Sequence, residues 1–235
     1  IQSVLDRKSD GERLTSVECH DIMCFIADAV LSGGIRRSAM ISLFDLDDEE
    51  MLTSKFGNWW ELNPQRARAN NSAILKRDSV SKEEFLGLWK KIELSNSGEP
   101  GFYFSDNETM GTNPCAEIAL NPFQFCNLVE VNASDIKDQD DLNDRVYWAS
   151  VIGTMQASYT DFHYLRPIWK ETTEREALLG IGMTGIASGP VMKMNLQLAV
   201  NQAIYANVSV SEMIGINPAA RITCVKPSGT SSLVL

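Results

Sequence analysis

The hydrophobic and polar positions of the first half of the chain change between helical and strand-like spacing. Gly33-Gly34 ends the first helical run, and the capping-box spacing of Ser81 and Glu84 begins a later one. Short apolar or alternating runs between turn residues indicate strands. The helices predicted in this half span residues 17–31, 49–54 and 82–94, and the strands span residues 35–44, 73–75 and 101–104.

The second half of the chain is dominated by helical spacing. Its predicted helices span residues 142–159, 173–186 and 191–214, and its predicted strands span residues 127–131 and 222–225. Strands separated by helices and loops are typical of an α/β architecture with a largely parallel sheet. We see no internal repeat and no change in composition that marks a second domain.

Composition and charge exclude several classes of protein. The 235 residues are 44% hydrophobic and 22% charged, which is typical of a globular protein. The net charge of −10 argues against binding to long stretches of nucleic acid. The sequence contains neither a long apolar run nor a signal pattern, so we expect no membrane span and a cytoplasmic location. Five cysteines without C-x-x-C spacing and two histidines predict no structural zinc or other metal site.

The segment of residues 111–118 carries the most informative chemistry. It places an amide, a thiol and a carboxylate at alternate positions, Asn113, Cys115 and Glu117. Alternate side chains of an extended backbone lie on the same side, and Pro114 disfavours a helix here. We therefore expect the three side chains to converge on one small ligand. The alternative is a loop with a buried cysteine and incidental polar neighbours.

A second cysteine favours the functional interpretation. Cys126 follows Cys115 after a segment that contains Asn121-Pro122, and a hairpin-like finger there would return Cys126 towards the same site. Two thiols near a carboxylate are suited to redox chemistry.

Two further segments have compositions that suit nucleotide binding. The turn after the last predicted strand contains Ser228, Gly229, Thr230 and Ser231, whose hydroxyl and backbone N–H groups can bind phosphate oxygens. A plain Ser/Thr turn is the alternative. The segment Gly33, Gly34, Ile35, Arg36, Arg37 and Ser38 combines mobile glycines with planar arginine donors. Its alternative is a helix C-cap followed by surface arginines.

The motif Asn-Pro-Cys-Ala-Glu-Ile, followed by Cys126-Asn127-Leu128, resembles the finger loop and following strand of ribonucleotide reductases. This resemblance implies that Cys115 becomes a thiyl radical that removes hydrogen from the ribose 3′ carbon. It also implies that Asn113 binds the sugar, that Glu117 takes the 3′-hydroxyl proton, and that Cys126 belongs to the oxidised thiol pair. A sulfur radical exchanges hydrogen with a C–H bond at little net cost, whereas a hydroxyl in its place does not.

The same resemblance covers the other two segments. It implies that the turn at 228–231 binds the substrate phosphates and that residues 33–38 are the specificity loop, which an allosteric nucleotide reshapes. The chain looks most similar to the adenosylcobalamin-dependent (class II) members, in part because Gly229 stands where iron-dependent members usually have glutamate. The implied fold is a partial ten-stranded α/β barrel, with residues 1–235 as the central part of the catalytic barrel domain and its N-terminal and C-terminal portions absent.

The partners implied by the resemblance are a ribonucleotide substrate, a deoxynucleotide or ATP effector, flanking polypeptides that complete the barrel, and a dithiol reductant such as thioredoxin. Because the family supplies the second thiol of the Cys126 pair from its N-terminal portion, we expect this chain alone to be inactive. Two alternatives stay open at this point. One is a non-catalytic structural or nucleotide-binding fragment, and the other is a glycyl-radical enzyme, which shares the barrel and a finger-loop cysteine.

Overall fold

Parallel strands joined by helices build both halves of the chain. The computed structural model describes residues 1–32, 36–107, 109–226 and Leu233. Two compact units, Ile1–Ala119 and Leu120–Leu235, divide the chain at a point that no change in composition marks. Within the described residues, no helix has the length and apolar character needed to cross a membrane.

The first unit is organised around a three-stranded parallel sheet. Its helices are α1 (Gln2–Leu5), α2 (Ser16–Ala29), α3 (Glu49–Thr53), α4 (Trp59–Leu62), the 3-10 helix Pro64–Arg68, and α5 (Lys82–Ser95). Its strands are β1 (Leu31–Ser32), β2 (Arg36–Arg37), β3 (Met40–Phe44), β4 (Ala69–Leu75), β5 (Gly101–Phe104) and β6 (Gly111–Thr112). The sheet has the order β3-β4-β5, with Met40 opposite Ala69 and Ser72 opposite Gly101.

Local sequence signals set the main helices of this unit. Thr15 and Glu18 form a capping box at the start of α2, and Ser81 and Glu84 form another at the start of α5. Each box satisfies backbone N–H groups that the first helical turn leaves without partners. The predicted helices at 17–31 and 82–94 are therefore confirmed to within two residues. Strand β4 alternates between buried and more exposed positions, as a strand with one face on the core should.

The second unit packs helices on a parallel pair of strands. Its elements are β8 (Asn127–Asn132), α6 (Gln139–Ala157), α7 (Pro167–Glu176), β9 (Leu179–Thr184), the 3-10 helices Ile186–Ser188 and Pro190–Lys193, and α8 (Leu196–Ile214); a short strand β7 (Ala119–Leu120), which pairs with β6, precedes them. Strands β8 and β9 run parallel, with Asn127 opposite Leu179, and Thr223 adds a parallel bridge to Ile181. Helices α6 and α8 are joined by buried hydrogen bonds, including Ser150 Oγ to Ala203 O at 2.7 Å.

The α/β fold with parallel strand pairing is confirmed, but one predicted helix is wrong. Residues 173–186 are the end of α7 followed by β9, with Ala177 in the left-handed region (φ 40°) between them. Tertiary packing makes this segment a strand. Strand β9 is almost entirely buried, and Gly182 leaves room for the carboxylate of Glu130 on the neighbouring strand. An apolar run with two glycines fits this close approach. The predicted strand at 222–225 contributes the single bridge at Thr223.

Candidate active site

The loop that carries Asn113, Cys115 and Glu117 is a tight turn. The Ala116 N–H donates to Asn113 O at 2.9 Å, and Ala116 has a φ of 64°. Pro114 occupies the second position of this turn, where its fixed φ is favourable. The expected extended backbone is therefore wrong, because the proline that disfavours a helix also initiates a turn.

The turn nevertheless brings the amide and the carboxylate together. Asn113 Nδ2 donates to Glu117 Oε1 at 2.7 Å, and Asn113 Oδ1 accepts from the Ile118 N–H at 3.1 Å. A further hydrogen bond from Thr112 Oγ1 to Ile118 O, at 3.0 Å, helps to close the loop. The Asn113 and Glu117 side chains therefore lie together, and the convergence of all three side chains on one ligand stays a prediction. Cys115 lies at the third position of the turn, and its side chain is exposed.

A side chain from the sheet contacts the turn. Asn70 Nδ2, on β4, donates to the carbonyl oxygen of Pro114 at 2.7 Å. Asn70 lies within β4 and belongs to none of the motifs described in the sequence analysis. Asn70 is thus a candidate site residue that sequence reasoning missed.

A buried ion pair joins α2 to the 3-10 helix Pro64–Arg68. Arg66 Nε and Nη2 donate to the two carboxylate oxygens of Asp21 at 2.6 and 2.7 Å, and Gln65 Nε2 adds a third hydrogen bond at 3.0 Å. Burial by itself would raise the pKa of Asp21, but the hydrogen bonds from Arg66, His20 and Gln65 and the Arg66 charge outweigh it. The pKa of Asp21 therefore lies well below its usual range.

His20 and Asn71 extend this network to β4. His20 Nε2 lies 3.0 Å from Asn71 Oδ1, and Asn71 Nδ2 donates to Ser54 Oγ at 2.9 Å. A ring nitrogen opposite an amide oxygen acts as the donor, so His20 Nε2 donates to Asn71 in this contact. Cys24 packs beside this ring, and burial raises the pKa of its thiol to about 11.

Cys126 belongs to the second unit, directly before β8. It is half-buried and lines an open pocket of about 570 Å³. The other lining residues are Phe125, Asn127, Met155, Gln156, Tyr159, Phe162 and Thr173. Both the backbone N–H and Nδ2 of Asn127 donate to Leu178 O, at 3.1 and 2.9 Å, which fixes the start of the strand. Of the other cysteines, Cys19 is exposed and Cys224 is half-buried.

The structure describes the predicted nucleotide-binding segment 33–38 in part and the predicted phosphate turn 228–231 not at all. Ser228, Gly229, Thr230 and Ser231 lie outside the described residues, as do Gly33, Gly34 and Ile35. Strand β2 pairs antiparallel with β1, with Ser32 opposite Arg36 and Leu31 opposite Arg37. The Ser38 N–H donates to Val30 O at 3.4 Å. The functional role of residues 33–38 stays a prediction.

Parallel strands joined by helices define an α/β protein. Its exposed Cys115 thiol lies in the same turn as a paired amide and carboxylate. A family model described as the barrel domain of ribonucleotide reductase matches residues 35–219, which is more than half of the chain. The chain therefore belongs to the ribonucleotide reductase barrel-domain family.

Several relatives are adenosylcobalamin-dependent ribonucleoside-triphosphate reductases. The one from Levilactobacillus brevis is 26% identical, over 94% of this chain and 35% of its own length. The one from Euglena gracilis is 28% identical, over 93% of this chain and 32% of its own length. A crystal structure of a B12-dependent (class II) ribonucleotide reductase matches 98% of this chain and 37% of its own, with a TM-score of 0.71 and 24% identity. The chain thus spans about a third of these relatives.

Proposed function

We propose that this chain is the central, site-bearing segment of the catalytic barrel of an adenosylcobalamin-dependent ribonucleotide reductase. The observation that carries the proposal is the turn of residues 113–118, which pairs Asn113 with Glu117 at 2.7 Å and exposes Cys115 between them. Amide, carboxylate and thiol are the three groups that sugar binding, proton transfer and hydrogen abstraction require. The names of the relatives support the cofactor and the substrate class.

Each residue has a distinct role in the proposed reaction. The Cys115 thiyl radical takes a hydrogen atom from the ribose 3′ carbon, and Glu117 accepts the 3′-hydroxyl proton. Asn113 binds the sugar and holds the Glu117 carboxylate through its Nδ2. An ionised carboxylate within hydrogen-bond reach of a proton is sufficient for a general base. The 2′-hydroxyl then leaves as water with a proton from a dithiol that includes Cys126. This dithiol supplies two electrons and two protons in all and becomes a disulfide, and Cys115 returns its hydrogen atom to the 3′ carbon, which regenerates the thiyl radical.

The cofactor enters this scheme as the source of the radical. When bound, adenosylcobalamin would supply the unpaired electron for the Cys115 radical. A group of that size must reach the Cys115 sulfur from outside the turn, and the exposure of this side chain agrees with that requirement.

The proposal also includes the remainder of the family fold. A ten-stranded barrel requires strands beyond those of the two units described above, and the relatives are about three times as long as the matched region. We infer that flanking polypeptide completes the barrel and supplies the thiol that pairs with Cys126. A dithiol protein such as thioredoxin then reduces that pair after each turnover. A nucleotide effector acts through residues 33–38.

The assay that tests this function measures deoxynucleotide formation from a ribonucleotide, with adenosylcobalamin, effector nucleotides and a dithiol reductant. The chain is assayed alone and then mixed with polypeptides that supply the flanking regions. We expect product in the mixture and none from the chain alone, because Cys126 needs a second thiol. Product from the chain alone would contradict the requirement for that thiol. No product in either assay would favour a non-catalytic fragment.

The proposed phosphate turn leads to a separate prediction about binding. Replacing Ser228 or Thr230 with alanine should weaken ribonucleotide binding by about 1–2 kcal/mol each, the contribution of a hydrogen bond to a charged group. The dissociation constant of the nucleotide, measured by equilibrium dialysis on the assembled protein, checks this. Ser158→Ala is a matched control, because its exposed hydroxyl bonds to Met155 O at the C-terminal end of α6. Unchanged affinity in both turn variants would mean that the turn is structural.

A further inference from the structure

The contact between Asn70 and the turn joins the sheet to the residue that precedes Cys115. Asn70 Nδ2 lies 2.7 Å from Pro114 O, which is a short, well-formed hydrogen bond between residues 44 positions apart. Asn113 O is already engaged by the Ala116 N–H. The Pro114 carbonyl is therefore a point at which this turn is attached to β4.

The strand that carries Asn70 is held firmly on its opposite face. Asn71, with 2% of its surface exposed, bonds to His20 and to Ser54 as described above. Its backbone N–H donates to Glu99 Oε2 at 3.3 Å, and Lys55 Nζ donates to Ala69 O. Successive side chains of a strand point to opposite faces. Asn70 therefore lies on the face opposite to buried Asn71, and its side-chain amide contacts the turn.

We propose that Asn70 is a positioning residue that fixes the turn of residues 113–118, and with it the Cys115 sulfur, relative to β4. The proposal rests on the function proposed above in so far as Cys115 is the reacting thiol. A hydrogen abstraction is sensitive to the position of the abstracting atom, because reacting atoms must lie within a narrow range of distances. Asn70 does not need to touch the nucleotide to affect the rate.

The proposed role depends on the N–H donor of the Asn70 side-chain amide. Asn70→Asp keeps the shape of the side chain but replaces the N–H donor with an oxygen that repels the Pro114 carbonyl. Asn70→Gln keeps a donor on a longer side chain and should restore part of the contact. Ser72→Ala is the matched control, since Ser72 lies two positions along the same strand, on the same side as Asn70.

The first measurement is hydrogen exchange at single amides of the full chain, followed by NMR. In Asn70→Asp, the amides of Ala116 and Ile118 should exchange about three to ten times faster, which corresponds to the loss of one net hydrogen bond. Amides of β4 should keep their wild-type exchange, which shows that the variant is folded. Ser72→Ala should change neither set, and Asn70→Gln should lie between the two. Unchanged exchange at Ala116 and Ile118 in Asn70→Asp would overturn the proposal.

The second measurement uses the assembled reductase and separates kcat from KM. We expect Asn70→Asp to lower kcat at least tenfold, by about 1.4 kcal/mol or more, and to leave KM within about twofold, because substrate binding groups are unchanged. A rise in KM with an unchanged kcat would overturn the positioning role. An inactive wild-type assembly would instead contradict the proposed function, and the exchange result would still decide whether Asn70 holds the turn.

Discussion

Replacing Cys115 with serine is expected to abolish deoxynucleotide formation by the assembled reductase. The hydroxyl is close to the thiol in size, so nucleotide binding should remain near the wild-type level. It cannot serve as the radical, because an O–H bond is much stronger than the S–H bond that makes hydrogen exchange with a ribose carbon nearly balanced. Product formation and the nucleotide dissociation constant, measured on the same preparation, check both parts of this prediction.

The chain offers a matched control for this substitution. Cys19 is also an exposed cysteine of the first unit, but it lies on α2 and belongs to no motif of the proposed site. Cys19→Ser makes the same chemical change and should leave the rate near that of the wild type. If Cys115→Ser retained more than a few per cent of the activity, Cys115 would not be the hydrogen-abstracting group.

Local signals predicted much of the secondary structure of this chain. The capping residues Thr15 and Ser81 fix the starts of α2 and α5 through contacts within four positions, and such contacts are visible in a sequence. Strand β9 was predicted as helix because the reason for Gly182, the close Glu130 side chain on β8, is not local. That neighbour is about 50 positions away, so local spacing contains no signal for it.

The candidate site shows the same limit. The residue types at 113, 115 and 117 indicated thiol chemistry, but the hydrogen bond between Asn113 and Glu117 was not predicted. The backbone conformation was wrong, because Pro114 is compatible with both a strand and a turn. Asn70 and Arg66 had no predicted role, since their partners lie 44 and 45 positions away. A fold that brings these segments together is needed to recognise them.

The largest expected effect on stability comes from the Asp21–Arg66 pair. Replacing Asp21 with asparagine leaves a largely buried guanidinium without its carboxylate, and such a loss typically costs about 3–5 kcal/mol. We therefore expect Asp21→Asn to lower the free energy of unfolding of the first unit by about 3 kcal/mol, the lower end of that range, because the amide keeps one acceptor. Urea titration followed through the slowly exchanging amides of β4 measures this quantity.

The effect of Asp21→Asn should depend on pH in a defined direction. The pKa of Asp21 is lowered in the folded protein, so the folded state prefers the ionised carboxylate. This contribution is fully present above the unfolded pKa of about 3.9 and is lost as the pH falls towards the folded value. The difference in stability between the wild type and the variant should thus be constant above about pH 5 and shrink below about pH 4.

An exposed ion pair between the same two elements provides the control for both measurements. Asp28 on α2 accepts from Arg68 Nε at 2.7 Å, but more than half of its side chain is exposed to water. Exposed pairs of this kind contribute about 0–1 kcal/mol, so Asp28→Asn should have a small effect. If the two variants lost similar stability, or if the deficit of Asp21→Asn did not shrink in acid, the buried pair would not anchor α2 to the 3-10 helix.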